Sequence, residues 1–167
     1  MQPQFKIREE SADDAAILSD LSAAAFGPGR FTRAAYKVRE GVSPTPKLCL
    51  TVWSDDRLRG GVRLTPVAIG EEKRALLLGP LIVDPAYAGK GYGRTLVTQG
   101  LERAIAEGFR LVVLVGDMPY YGRFGFRPVS PGRITMPGPV DPERLLAIEL
   151  VPGALEGAAG LMQALNG

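Results

Sequence analysis

Three glycines at alternate positions stand out in Gly89-Lys90-Gly91-Tyr92-Gly93-Arg94, directly after the apolar run Leu81-Ile82-Val83 and before a helical pattern. A helix that starts after glycines offers backbone N–H groups with no carbonyl partner, and such a turn binds phosphate oxygens. Lys90 and Arg94 add positive charge at the same place. The segment predicts a phosphorylated ligand. Two absences narrow the chemistry further. The chain has no histidine and one cysteine, Cys49. These exclude a Ser-His-Asp triad, a Cys-His pair, a His-ligated metal, an intrachain disulfide and a cysteine-based zinc site, so no metal is expected. Cys49 sits in the apolar run Leu48-Cys49-Leu50-Thr51-Val52-Trp53 and reads as an inert core thiol.

Two nucleotide motifs fail on spacing. A Walker A loop needs a glycine five positions before Gly-Lys-Ser/Thr, but Asp84 stands there and Gly91 follows Lys90. A dinucleotide fingerprint needs a third glycine where Arg94 stands. A nucleotide hydrolase or a dehydrogenase is thereby disfavoured.

The elements that must position this turn follow from periodicity. Residues 5–8 read as a first strand. Ser11 to Asp14 resembles a capping box that opens a helix, with Ile17, Leu18, Leu21 and Ala25 at helical spacing. Gly27-Pro28-Gly29 ends it, and a second helix is expected over residues 32–40. Residues 47–54, 58–66 and 74–83 read as an antiparallel meander, with Asp55-Asp56-Arg57 as a hairpin turn. Gly79-Pro80 interrupts the third strand and predicts a bulge or splay, because proline has no N–H for a central ladder. A helix over residues 94–107 carries Leu96, Val97, Leu101, Ala104 and Ile105 on one face. Residues 109–115 form a buried strand, parallel to the third and joined to it in a right-handed sense. A short helix over 117–124, a strand from Phe126 and a strand over 144–151 follow. The last residues show weak helix potential. The fold class is α/β (mixed α+β), a central mixed, mostly antiparallel sheet with helices on its faces.

Ala88-Gly89-Lys90-Gly91-Tyr92-Gly93 resembles motif A of the GNAT N-acetyltransferases, Gln/Arg-x-x-Gly-x-Gly/Ala, with Ala88 in place of Gln or Arg. Leu81-Ile82-Val83-Asp84-Pro85 is similar to that family's strand ending in Val-x-Pro. About thirty residues on, Tyr120-Tyr121-Gly122-Arg123-Phe124-Gly125-Phe126 resembles its Phe-Tyr-x-x-x-Gly-Phe element. The resemblance covers residues 5–128, and the tail looks like the branch of predicted acetyltransferases related to YhbS. It implies one GNAT domain over residues 1–167, with a motif core at about 75–128 and a less typical tail at 129–167.

The resemblance also implies a site and a reaction. Acetyl-CoA is the expected cosubstrate, with no metal. Gly89, Lys90, Gly91, Tyr92, Gly93 and Arg94 would hold its pyrophosphate, and the splayed strand at Leu81, Ile82 and Val83 would pair with pantetheine. An N–H near Val83 would serve as the oxyanion donor. Tyr121 would give a proton or hydrogen bond to the sulfur; Asp117 reads as a helix cap near the place where the family holds pantetheine. Several family members place a Glu on the strand after motif A as base, and Leu111 to Val115 has none, so the base is a carboxylate from elsewhere, with Glu71, Glu72 and Glu149 as candidates, a water chain, or no specific group. The bland readings are a ligand-free tight turn and a packed aromatic at Tyr121. The runner-up function is a CoA-binding sensor without efficient catalysis.

The expected partner is an amine, of a small molecule or a protein, and the family suggests a homodimer. Net charge is +2 with no basic run, which argues against nucleic acid. No apolar leader or membrane-length run is read, so a cytoplasmic location away from membrane is expected.

Overall fold

A computed structural model describes residues 5–26, 34–40 and 45–165. The strands are β1 (Lys6–Glu9), β2 (Cys49–Ser54), β3 (Arg57–Ile69), β4 (Glu72–Val83), β5 (Leu111–Val115), β6 (Arg127–Pro128), β7 (Ile134–Thr135), β8 (Leu145–Glu149) and β9 (Gly160–Ala164). The helices are α1 (Asp14–Phe26), α2 (Ala34–Arg39), α3 (Tyr92–Ala106) and α4 (Met118–Tyr121). The main sheet runs β1-β2-β3-β4-β5-β8-β6, with β9 attached to β3 and to β7. All neighbours along this path are antiparallel except β4 and β5. The mixed, mostly antiparallel sheet matches the sequence reading.

Local signals explain most of the elements. The Ser11 N–H donates to Asp14 Oδ2 at 2.8 Å, which is half of a capping box. The hairpin between β2 and β3 turns on Asp55 and Asp56, at φ of 52° and 58°. Asp tolerates this left-handed region, so the turn forms without glycine. In β4 the register passes from Leu64↔Leu78 to Val62↔Leu81, so Gly79 and Pro80 together face Arg63. The interruption is a bulge, and the strand continues beyond it.

The sheet buries both faces. Leu50, Val52, Leu64, Leu76, Leu96 and Leu114 belong to one core, with α3 above it. Val67, Leu77, Leu111, Val113 and Met162 belong to the other. Two residues assigned to apolar stripes face solvent: Ile17 is 44 % exposed and Ile105 is 59 % exposed. Asp14 and Leu18 are buried on α1, and Gly100 adds to the buried stripe of α3. Helical spacing locates a stripe, but its edge depends on what the helix packs against.

The tail requires a larger correction. Its residues 160–164 form a strand, β9, and not a helix; β9 pairs antiparallel with Val67, Ala68 and Ile69 of β3. A sheet edge beside the second core rewards extended backbone even where small residues carry little strand propensity, and Met162 is buried there. The expected helix stop at Gly27-Pro28-Gly29 and the start of the second helix at Thr32 lie outside the described residues.

Candidate functional site

β4 and β5 begin side by side and then part. Their parallel pairing covers Ala75↔Leu111, Leu76↔Val112 and Leu77↔Val113. Beyond it β4 stays with β3 as far as Val83↔Gly60, while β5 stays with β8 as far as Val115↔Leu145. The sheet is therefore splayed between the ends of β4 and β5.

The ladder decides which backbone groups face that gap. The Asp84 N–H donates to the Arg59 carbonyl at 2.6 Å. Antiparallel pairs alternate between bonded and non-bonded, so Ile82 turns its backbone to Gly61, and Leu81 and Val83 turn theirs away from β3. Of the three strand residues expected at the site, Leu81 and Val83 present N–H and C=O to the gap. Ile82 does not: its side chain is buried and its backbone belongs to the β3 ladder.

The glycine turn closes the same gap at its end. Asp84 accepts from the Ala86 N–H at 3.0 Å and starts a single 3-10 turn, Pro85–Tyr87. Gly89 and Gly91 then adopt φ of 77° and 84°. Gly91 is the N-cap of α3, and the first helical donor is Thr95, to the Gly91 carbonyl at 3.1 Å. The N–H groups of Tyr92, Gly93 and Arg94 thus have no helical acceptor and point out of the helix start. Lys90 and Arg94 are exposed there. Tyr92 contributes only backbone; its ring is 4 % exposed, edge-on to Phe5 at 5.5 Å and stacked on Tyr87 at 6.1 Å. This anchoring holds the start of α3 to the core while the turn stays open.

Across the gap lies α4 with its two tyrosines, which have different surroundings. Tyr121 packs against Phe126 at 6.0 Å, and a Cβ on Gly116 would lie 2.4 Å from Tyr121 Cε2. Gly116 therefore makes room for this ring just after β5. Tyr120 reaches the other way. Its hydroxyl would lie 2.7 Å from a Cβ on Gly93, with Val83 and Leu81 side chains next to the same point. Burial raises the Tyr120 hydroxyl above its usual pKa, against the opposing charges of Arg123 and Arg94. Met118, Pro119, Asp117, Glu143 and Arg144 line a cleft of about 450 Å³ on which Tyr120 also borders.

Asp117 occupies the N-cap position of α4 but makes no side-chain cap; its carboxylate pairs with Arg144 Nε at 3.3 Å. None of the three suggested carboxylates lies near the splay. Glu72 is at the opposite end of β4, on the order of 35 Å from Val83 at strand rise. It bonds Arg110 at 3.0 Å and the Arg74 N–H at 2.8 Å. Glu71 precedes it, and Glu149, opposite Leu111, accepts from the Leu155 N–H at 2.9 Å. Among the described residues, no group of three or more His, Cys, Asp and Glu is placed to hold a metal. Cys49 is buried, with its thiol pushed up to about 11 by burial first and then by the Glu10 charge. No helix is long and apolar enough to cross a membrane among the described residues. Gly116 and Tyr120 were not singled out by the sequence; the first position of the aromatic motif was the available signal for Tyr120.

Comparisons with known proteins agree on one family. The family model described as "Acetyltransferase (GNAT) family" matches residues 15–126. The chain is 30 % identical over 158 residues to YhbS of Escherichia coli strain K12, named an N-acetyltransferase, covering 94 % of each. A crystal structure of Escherichia coli YhbS in complex with CoA superposes with a TM-score of 0.81 at 28 % identity, over 99 % of this chain and 92 % of that one. A GNAT acetyltransferase from Brucella melitensis, in complex with acetyl-CoA, gives a TM-score of 0.63 at 31 % identity over 88 % of this chain and 97 % of that one.

Proposed function

The chain belongs to the GNAT acetyltransferase family, and from that membership we propose that it transfers an acetyl group directly from acetyl-CoA to an amine of a small molecule or protein, in the cytoplasm. One observation carries the reading: the backbone of Leu81 and Val83 turns away from β3 into a gap that ends at N–H groups of α3 with no acceptor in the helix. The two suit a long amide-bearing arm attached to a pyrophosphate. Leu81 and Val83 would pair with the amides of pantetheine. The N–H groups from Gly89 to Arg94 would surround the pyrophosphate, with Lys90 and Arg94 adding charge.

The chemistry is acyl transfer from a thioester. The amine forms a C–N bond to the carbonyl carbon, the C–S bond breaks, the sulfur takes a proton and the nitrogen gives one up. A strand N–H of β4 near Val83 would hold the oxygen that becomes negative. Tyr121 would donate to the departing sulfur. Against a thiol pKa of about 8.5, a phenol of about 10 is a weak acid, so a hydrogen bond is the larger part of its role.

The test measures free thiol released from acetyl-CoA over a panel of amines, polyamines and peptides, with wild type and Tyr121→Phe. At least one amine should drive thiol release, and the variant should lower kcat by tenfold or more with acetyl-CoA binding kept. Acetyl-CoA binding without turnover on any amine class would favour a CoA-binding sensor. No acetyl-CoA binding at all would sink the donor site itself.

A further inference from the structure

We propose that Tyr120 is a gate on the donor site: its side chain stands in the path of the CoA arm and moves aside when CoA binds. The proposal rests on the donor reading above and adds a moving part to it. The hydroxyl sits beside Gly93 at the first turn of α3, next to the Leu81 and Val83 side chains. At 2.7 Å from the position of a Gly93 Cβ, it occupies the space directly against the first turn of α3. A ligand that uses the N–H groups of α3 together with the backbone of Leu81 and Val83 lies beside this point.

What holds the ring there is packing. It lies edge-on to Tyr121 at 4.9 Å and to Phe124 at 5.8 Å, with the Arg123 guanidinium 5.0 Å from its centre. The hydroxyl has no hydrogen-bond partner among the described residues, so moving it breaks none. The ring also has room to move, since Tyr120 borders the cleft of about 450 Å³ lined by Asp117, Met118, Pro119, Glu143 and Arg144. The positive charges of Arg94 and Arg123 both act on the hydroxyl and are the charges an incoming phosphate would engage as the ring leaves. Gly93 takes on a second meaning. The family's motif admits Ala at this position, but here any Cβ excludes the closed pose of Tyr120.

Two variants and one spectroscopic signal test the gate, with CoA as the probe. Gly93→Ala keeps the tyrosine and forbids its closed position, while Tyr120→Ala removes the ring. If the open form is the minor one, apparent affinity is reduced by its population. Gly93→Ala should then bind CoA roughly threefold to tenfold tighter, with faster association, and Tyr120→Ala should add little to it. In protein carrying 3-fluorotyrosine, the fluorine resonance lost in Tyr120→Phe should shift when CoA saturates the wild type. The gate is wrong if CoA binds the wild type and that resonance stays in place, or if Gly93→Ala binds CoA no faster and no tighter. Failure of the wild type to bind CoA at all would overturn the donor reading and the gate with it.

Discussion

Replacing Gly91 by alanine isolates backbone conformation from crowding. Gly91 adopts φ of 84°, and a Cβ there would meet nothing within 4 Å. The whole cost is conformational. Left-handed backbone costs an L-residue about 1–2 kcal/mol, and the stiffer unfolded chain returns about 0.4–1 kcal/mol. The balance is about 1 kcal/mol of destabilisation, or roughly 3 °C in Tm for a chain of this length. Asparagine accepts the left-handed region more readily, so Gly91→Asn should recover most of that loss. CoA binding should respond more strongly than stability. If the substituted alanine relaxes out of the left-handed region, it turns away N–H groups at the start of α3. Losing one charge-assisted hydrogen bond is worth about 1.5–3 kcal/mol, or about tenfold to a hundredfold in Kd. Calorimetric unfolding and CoA titration on the wild type, Gly91→Ala and Gly91→Asn check both numbers. An alanine variant that melts and binds like wild type would refute the claim that this turn needs a left-handed residue.

Three further outcomes are expected. Gly116→Ala places a methyl group 2.4 Å from the Tyr121 ring, so kcat should fall about as far as in Tyr121→Phe, with CoA affinity within about twofold; unchanged kcat would detach Tyr121 from the chemistry. Glu10→Gln removes the partner of Arg63, which is bonded at 2.6 and 2.9 Å. Because Arg63 keeps some solvent, the cost should be about 2 kcal/mol, below that of a fully buried pair, and thermal unfolding should fall by roughly 6 °C. Cys49 is raised from 9.0 to about 11, so its contribution is intact below pH 9 and is lost as pH climbs toward 11. Urea unfolding at pH 8 and pH 10 should show a loss about 1 kcal/mol larger in wild type than in Cys49→Ala, and an equal loss in both would refute the raised thiol.

Much of the candidate site's backbone is legible in the chain because the determinants of its strand, turn and helix start are local. The run from Leu81 to Arg94 holds a strand, a turn and a helix start within a few residues, and each has a short-range cause. The same is true of the cap at Ser11 and Asp14 and of the hairpin at Asp55 and Asp56. Spacing does not place Ile17, Ile105 or the tail for one reason: the packing partner that decides each lies far away in sequence. β9 exists because β3, about ninety residues earlier, offers it an edge. Residue type alone points to Glu71, Glu72 and Glu149, and strand direction puts them at the other end of the sheet from the splay.

The sequence by itself determined a strand, a glycine turn and a helix that together present free N–H groups, and an aromatic motif thirty residues later. Backbone preference and hydrogen-bond count act over a few residues, so they are readable in order along the chain. Only the tertiary structure decided that β4 follows β3 while β5 follows β8, which opens the gap. It also decided that Leu81 and Val83, and not Ile82, turn their backbone into that gap. It separated the two tyrosines as well, seating Tyr121 on Gly116 and Tyr120 beside Gly93. Ladder register and close packing depend on which distant segments meet, and spacing along one chain does not carry that information.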